Sequence, residues 1–476
     1  PPAVAAAPAW SAPRSSQTRL DNGLTLHVLE RRQLPLLELR LVLASGSASD
    51  AEHPGVAALT TQALELMASL ATGRALAARV EALGGHLQLQ TSRDACVFAL
   101  TLPSSALAEG LSVLAALTAP RELSPAAIEA ARVRELARQR PLHTSADWLA
   151  EQALYGELFR SSPRRHPYAH ADTLPGELQR LTVDDSQAWY AQNFSPKNAI
   201  LLVVGDASLV QVLPLAQRNL GSWQGREVAP PVFFPPTPPA RLKTLLIHRE
   251  GATRSELRIA TLGPERSAPE WPAFAATQQV LGGTESSRAR RELTRRGELA
   301  VELSAALVPL AYGATPLVIS ANVSTEHTAL TLAALLDSLA ALTTRQPSRR
   351  ELRAAQQQLA ASIPLRLETN LGAAEQLERD SLAGLPSTVL DEFGHALAQL
   401  SVEDVQASAR RYLSRPPVII VVGNARQLVA PLSHFGQVHL LDTSFQTERV
   451  VSQDPTAPLE WVGSVSSPGA GAAPRL

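Results

Sequence analysis

"LTVDDSQAWYAQNFSPKNAILLVVGDA", Leu181 to Ala207, returns later in the chain as "LSVEDVQASARRYLSRPPVIIVVGNA", Leu400 to Ala425. Both copies close on a strand-like "VVG", and Gly205 and Gly423 stand 423 − 205 = 218 residues apart. The same offset joins "LELRLVLASG" from Leu37 with "SELRIATLG" from Ser255, matched at Glu38 and Glu256. A strand near the start, a helix near the end and a closing strand agree on one spacing. The chain is therefore an internal duplication.

The join between the copies is "GREVAPPVFFPPTPPARL", Gly225 to Leu242, whose prolines predict an extended, semi-rigid connector. Each half opens with a strand pair and continues with a helix (Pro54 to Leu70; Glu270 to Leu281). A strand region, long alanine-rich helices and a final helix–strand–helix follow. Strands and helices interleave without strict βαβ alternation, which predicts an α+β fold of two homologous sandwich-like repeats. The chain divides into an Ala/Pro-rich segment 1–16, a first repeat 17–224, the linker 225–242, a second repeat 243–441 and a loose tail 442–476.

Of the 476 residues, 45% are hydrophobic and 18% charged, enough apolar material for sizeable cores. A net charge of −1 leaves no basic excess to neutralise phosphates, so nucleic-acid binding is not expected. Cys96 is the only cysteine, which excludes an intrachain disulfide and any multi-cysteine metal site. No apolar run reaches the ~18 residues that a spanning helix requires. The opening "PPAVAAAPAW" lacks a methionine and fits an exported, periplasmic protein whose signal has been removed, although a trimmed chain would look the same.

The first helix of the first repeat is "HPGVAALTTQALELM", His53 to Met67. Pro54 suits the first helical position, and Val56, Leu59, Ala63 and Leu66 make one apolar stripe. Ala58 and Gln62 lie four apart and share a face, the spacing at which two histidines hold zinc in many peptidases.

Taken together, "LDNGLTLHVLE" at Leu20, "SGSASD" at Ser45, "GVAALTTQAL" at Gly55, "EALGGHLQLQTSRD" at Glu81, "HPYAH" at His166, "LGGTESSRARREL" at Leu281 and "PLRLETNLGAAEQL" at Pro364 resemble the insulinase/pitrilysin family of metallopeptidases. The likeness covers nearly all of Gln17 to Leu441 and is to the family's short two-repeat members. It implies the inverzincin fold, in which the first helix carries H-x-x-E-H. Two histidines and a later glutamate then bind zinc, and the motif's glutamate acts as general base on a bound water. Carried over by position, Ala58 and Gln62 replace the two histidines and Thr61 replaces the base. Counting 76 residues on from Gln62, as the family spacing implies, gives Arg138, with Glu135 the nearest carboxylate, three residues away. The resemblance thus implies a degenerate member with no catalytic residue and no metal or other cofactor in this chain. Zn²⁺ is expected in a catalytic partner instead.

The family's second half usually supplies an arginine–tyrosine pair to the cleft. Thr294 and Val301 stand at those positions, with Arg295 or Arg296 able to replace the arginine after a one-residue shift. "GGHLQLQTS" reads as a strand with one wet face, and the resemblance makes it the edge to which substrate peptide adds. Gln88, Leu89, Gln90 and Thr91 are the candidate peptide contacts, against the alternative of a strand buried on a neighbour. "LGGTESSR" reads either as a turn into the cleft or as a helix end at which glycine supplies positive φ. His166 and His170 flank Pro167 in a loop, with no carboxylate fixed nearby.

Two functions follow as expectations. One is a non-catalytic subunit that pairs with an active H-x-x-E-H chain, shapes the peptide-degrading chamber and holds substrate. The other is a stand-alone homodimeric peptide-binding or scaffolding protein on the same fold.

Overall fold

The computed structural model describes residues 11–71, 75–119, 122–142, 144–161, 165–169, 175–297, 300–445 and 448–451. The first repeat supplies β1 (Ser16–Arg19), β2 (Thr25–Glu30), β3 (Leu36–Leu43), β4 (His86–Thr91), β5 (Cys96–Pro103) and β6 (Ala199–Gly205). They form one sheet in the order β1-β2-β6-β3-β5-β4, antiparallel except for the β2–β6 pair. The second repeat supplies β7 (Lys243–His248), β8 (Arg254–Leu262), β9 (Ala300–Leu307), β10 (Pro316–Ser324), β11 (Val418–Gly423), β12 (Gln437–Leu441) and β13 (Glu448–Val451). Their order is β13-β12-β7-β11-β8-β10-β9, with β7 parallel to both β11 and β12. The duplication is visible directly: β2-β6-β3-β5-β4 and β7-β11-β8-β10-β9 are the same five-strand arrangement.

The helices of the first repeat are α1 (Val56–Ala71), α2 (Leu76–Ala82), α3 (Leu107–Thr118), α4 (Pro125–Gln139), α5 (Ala146–Leu158), α6 (Pro175–Arg180), α7 (Val183–Asn193) and α8 (Leu209–Leu220). Those of the second are α9 (Trp271–Gln278), α10 (Arg288–Arg295), α11 (Thr328–Thr344), α12 (Arg349–Arg366), α13 (Asn370–Leu382), α14 (Val389–Gln399), α15 (Val402–Leu413) and α16 (Ala425–Ser433). The repeated motif shows its local logic at α7 and α15. Thr182 Oγ1 accepts from the Asp185 N–H, and the Asp185 carboxylate accepts from the Thr182 N–H. Ser401 and Asp404 do the same at the start of α15. These reciprocal caps satisfy two donors at each helix start.

Strand composition follows from burial on both faces. β11 reads "VIIVVG" and is buried throughout. Ile419 and Val421 join the core under α11 and α15, while Val418, Ile420 and Val422 face the other way. What covers that second face is α5, which belongs to the first repeat: Leu149, Ala150, Leu154 and Leu158 pack on Leu245, Ile247, Ala260 and Ile420. The reverse holds for the first sheet. Its inner face meets α1, α3 and α8 of its own repeat. Its outer face, at Leu29 and Val204, meets Ala373 and Ala374 of α13, and Val42, Val97 and Leu202 meet Leu377 and Leu382. Each repeat lends one helix to the other's sheet, so a continuous apolar strand without alternation is what both sheets need.

Polar side chains follow the exchanged helices. Arg40 in β3 is 4% exposed and meets Glu378 of α13 at 2.9 Å. Arg258 in β8 pairs with Asp147 of α5. Asp94 accepts from the Tyr168 hydroxyl and from the Ala311 N–H at 3.0 Å, which ties the two repeats together.

Several expectations are corrected. The helix does not take Pro54 as its first residue: Gly55 has φ +90°, so the turn it makes must precede the helix, which begins at Val56. Gly282 and Gly283 do not have positive φ, for the chain continues from α9 into a π-helical turn over Gln279–Gly283. Space is tight at Gly282, where an added Cβ would lie 2.7 Å from the Cβ of Ala305 in β9. Part of the loose tail is strand β13, which pairs with β12. Within the N-terminal segment, Ala12 donates its N–H to Asp391 of α14 at 3.0 Å. The linker packs as well: the Phe233 ring lies 5.0 Å from Tyr168 and 5.1 Å from Tyr312. Among the described residues no helix is long and apolar enough to cross a membrane.

Candidate functional site

A cavity of about 1640 Å³ opens between α1, α4, β4 and the linker. Ala58, Thr61 and Gln62 of α1, Glu135 and Arg138 of α4, and Leu89, Gln90 and Thr91 of β4 all line it. Gln88 does not line it and stands exposed on the alternate face of β4. β4 is an edge strand, paired only with β5, so one side of its backbone has no strand partner among the described residues.

The helix start is built by Asp50. Its carboxylate accepts from the Gly55 N–H at 2.6 Å and the Ala57 N–H at 3.0 Å, an acid at the positive end of α1. Burial outweighs those donors and pushes the carboxyl up to about 8. Thr61 turns its hydroxyl back on its own helix and donates to the Ala57 carbonyl at 2.8 Å. Its oxygen also lies 3.4 Å from that of Thr91, the residue that reaches Cys96 Sγ at 3.6 Å. Cys96 is buried, and burial drives its thiol up to about 12, so it is inert.

At the place of the expected metal, Gln62 Nε2 donates to Glu135 Oε2 at 2.6 Å. Gln139 Nε2 donates to Glu135 Oε1 at 2.8 Å, and the Arg138 guanidinium forks both oxygens, with Nε at 2.8 Å from Oε2. Counting from the sequence pointed to Arg138, but the carboxylate that faces Gln62 is Glu135. The signal was available: residues three apart on a helix share a face, so Glu135 and Arg138 reach the same spot. Burial raises the pKa of Glu135, but the guanidinium and the two amides overcome it and hold the carboxyl below its ordinary range. One turn along each helix lies a second pair, Arg134 with Glu65 at 3.0 Å.

These residues do not fit zinc. Ala58 offers no donor atom, the Thr61 hydroxyl is spent on a carbonyl, and both oxygens of Glu135 are held by N–H donors. A guanidinium in contact with the remaining carboxylate repels a divalent cation. Among the described residues, no three His, Cys, Asp or Glu side chains gather as a metal site requires.

Other candidates fall elsewhere. His166 is buried among Phe159, Tyr168 and Phe233, and its Nδ1 accepts from the Tyr168 N–H at 3.0 Å. Burial pushes its pKa down to about 4, so it is neutral at physiological pH. His170 lies outside the described residues. Thr294 lies in the last turn of α10, where Arg295 and Arg296 are both bound to Glu292.

A family model described as Insulinase (Peptidase family M16) matches residues 28–171, and one described as Peptidase M16 inactive domain matches residues 180–359. Mitochondrial-processing peptidase subunit beta of Blastocladiella emersonii is 24% identical over 430 residues, covering 86% of this chain and 89% of that one. Cytochrome b-c1 complex subunit 1 of Bos taurus is 24% identical over 276 residues, 57% of this chain and 56% of that one. Zinc protease PqqE of Helicobacter pylori is 25% identical over 150 residues, 31% of this chain and 34% of its own. Among solved structures, a peptidase M16 inactive domain from Pseudomonas fluorescens superposes with a TM-score of 0.76 at 24% identity, covering 86% of this chain and 98% of that one. A protease from Helicobacter pylori gives a TM-score of 0.74 at 19% identity, covering 86% and 100%. With both halves matched and the five-strand arrangement present twice, the chain belongs to the insulinase family of peptidase-like proteins, of the two-repeat type.

Proposed function

We propose that this chain is a pseudo-peptidase: a non-catalytic subunit that pairs with an active H-x-x-E-H chain, closes one side of a peptide-degrading chamber and holds substrate along β4. The observation that carries the reading is Glu135, fastened by Gln62, Gln139 and Arg138 where a ligand to zinc would have to be free. The helix pairing is kept while the side chains able to coordinate metal are replaced by a closed hydrogen-bonded set. Support for a partner comes from the relatives, two of which are named as subunits. The exposed edge of β4 supports peptide holding, because strand addition uses main-chain groups and needs no metal.

The test is reconstitution. Purified alone, the chain cleaves no peptide and retains no stoichiometric zinc. Mixed with a family member that carries H-x-x-E-H and is co-purified from the same cells, it forms a complex whose peptidase activity exceeds that of the partner alone. Zinc-dependent cleavage by the lone chain sinks the proposal. A scaffolding role without peptidase work is the second reading, favoured by the match to a cytochrome b-c1 complex subunit. It predicts a stable assembly in which activity does not rise.

A further inference from the structure

The cavity's charge is arranged unevenly in depth. In the pair between α1 and α4, the Arg134 side chain is 54% exposed and Glu65 only 10%. In the next pair Arg138 is 53% exposed and Glu135 only 1%. The acids sit behind and the guanidinium groups stand in front. Arg165 and Arg180, on the same cavity, are exposed as well. The lining also holds Arg93 and, besides the recessed Glu65 and Glu135, exposed Glu52 and half-buried Glu177, so the positive face comes from the depth at which the acids sit rather than from a shortage of them. Asp50 adds no negative surface, because it is buried and its carboxyl is pushed up to about 8. An ion pair whose acid is recessed still shows its positive end to a ligand, and low-dielectric walls strengthen the field inside a cleft. The chain as a whole has a net charge of −1, so this positive face is local.

We infer that the cavity selects extended peptides bearing acidic side chains, paired to the free edge of β4 with their carboxylates against the arginines of α4 and the segment before α7. The inference rests on the peptide-holding part of the function proposed above and adds the ligand's chemistry to it. Alternate side chains of an added strand point the same way. Acidic residues at every second position therefore face the guanidinium wall together, while the intervening side chains face solvent. Leu87 and Leu89 line the cavity from β4 on the same side as the arginines. Guanidinium groups suit carboxylates because their paired N–H donors match the two oxygens.

The experiment is fluorescence anisotropy on the full chain with three labelled peptides of equal length. Each has the same apolar residues at odd positions and Glu, Gln or Lys at even positions. The Glu peptide is expected to bind on the order of tenfold more tightly than the Gln peptide at low salt, with each exposed pair worth about two- to fivefold. The Lys peptide binds weakest. The margin shrinks as salt is raised, since exposed charges are screened beyond ~10 Å at 0.1 M. Arg165→Gln with Arg180→Gln, both on exposed positions, brings the Glu peptide to within about threefold of the Gln peptide. An unchanged thermal midpoint shows that this variant is folded. Equal affinity for the Glu and Gln peptides, or tightest binding of the Lys peptide, overturns the charge selection and leaves peptide holding intact. Binding of none of the three by folded protein overturns peptide holding, and this inference with it.

Discussion

Arg138→Ala tests whether the Glu135 cluster is a structural replacement for a metal. Glu135 is 1% exposed and has three partners, of which Arg138 alone is charged. Breaking a fully buried pair costs about 3–5 kcal/mol, and an exposed pair about 0–1. Arg138 is 53% exposed and Glu135 buried, so the expected loss lies between these, at about 2 kcal/mol near pH 7. The pH dependence gives the sharper signature. In the native chain the pKa of Glu135 is held below the free value of 4.5, so its contribution is present above 4.5 and fades as pH falls through the folded value. Without the guanidinium the only charged partner that lowers it is gone, so the carboxyl's pKa rises from its native position. The variant's deficit is then largest at neutral pH and shrinks below pH 4.5 as Glu135 takes up a proton. Urea unfolding at pH 7 and pH 4, followed by circular dichroism, measures both values. An equal deficit at the two pH values, or none at pH 7, refutes the account of Arg138 as the partner of a buried carboxylate.

Three further outcomes follow from the same geometry. Ala58→His, Gln62→His and Arg138→Ala together set two imidazoles beside a Glu135 freed of its guanidinium, and zinc at a hundredfold excess over its Kd raises stability by about 2.7 kcal/mol; if added zinc leaves the thermal midpoint unmoved, Glu135 is not at the ligand position. Asp50 has a folded pKa of about 8 against 3.8 when free, so the native chain loses stability as pH rises from about 4 to about 8 and levels off above. Asp50→Asn removes that slope in a denaturation series, and an unchanged slope rejects Asp50 as its source. Leu154→Ala, at a site 2% exposed where α5 meets the second sheet, costs about 2–5 kcal/mol in chemical unfolding. A loss below 0.5 kcal/mol would mean that α5 does not close that core.

The duplication and the cavity walls were legible in the sequence because they rest on repeated short patterns: the "VVG" strands, the stripe of α1 and the alternation in β4. What was not legible depends on partners far away in the chain. The unbroken apolar run of β11 announces a strand covered on both faces, but nothing in it says that the second cover is Leu149 and Leu154 of the other repeat. Counting from Gln62 carried the expectation one helical turn past Glu135, because loop lengths between α1 and α4 are free to vary while the face of α4 is not. β13 escaped notice because its four residues, "ERVV", gain their order from pairing with β12 rather than from any pattern of their own.

The crossing of α5 and α13 constrains what the ancestor of this chain could have been. A single repeat on its own would leave one side of its sheet bare, with Val42, Leu202 and their neighbours in water, and would hold a spare helix with nothing to lie on. Such a unit is stable only as two copies trading that helix about a twofold axis. In this chain the trade is intramolecular, and the proline-rich segment at 225–242 joins the two traders. With the exchange held inside one chain, the two copies can differ in sequence and each still covers the other's sheet.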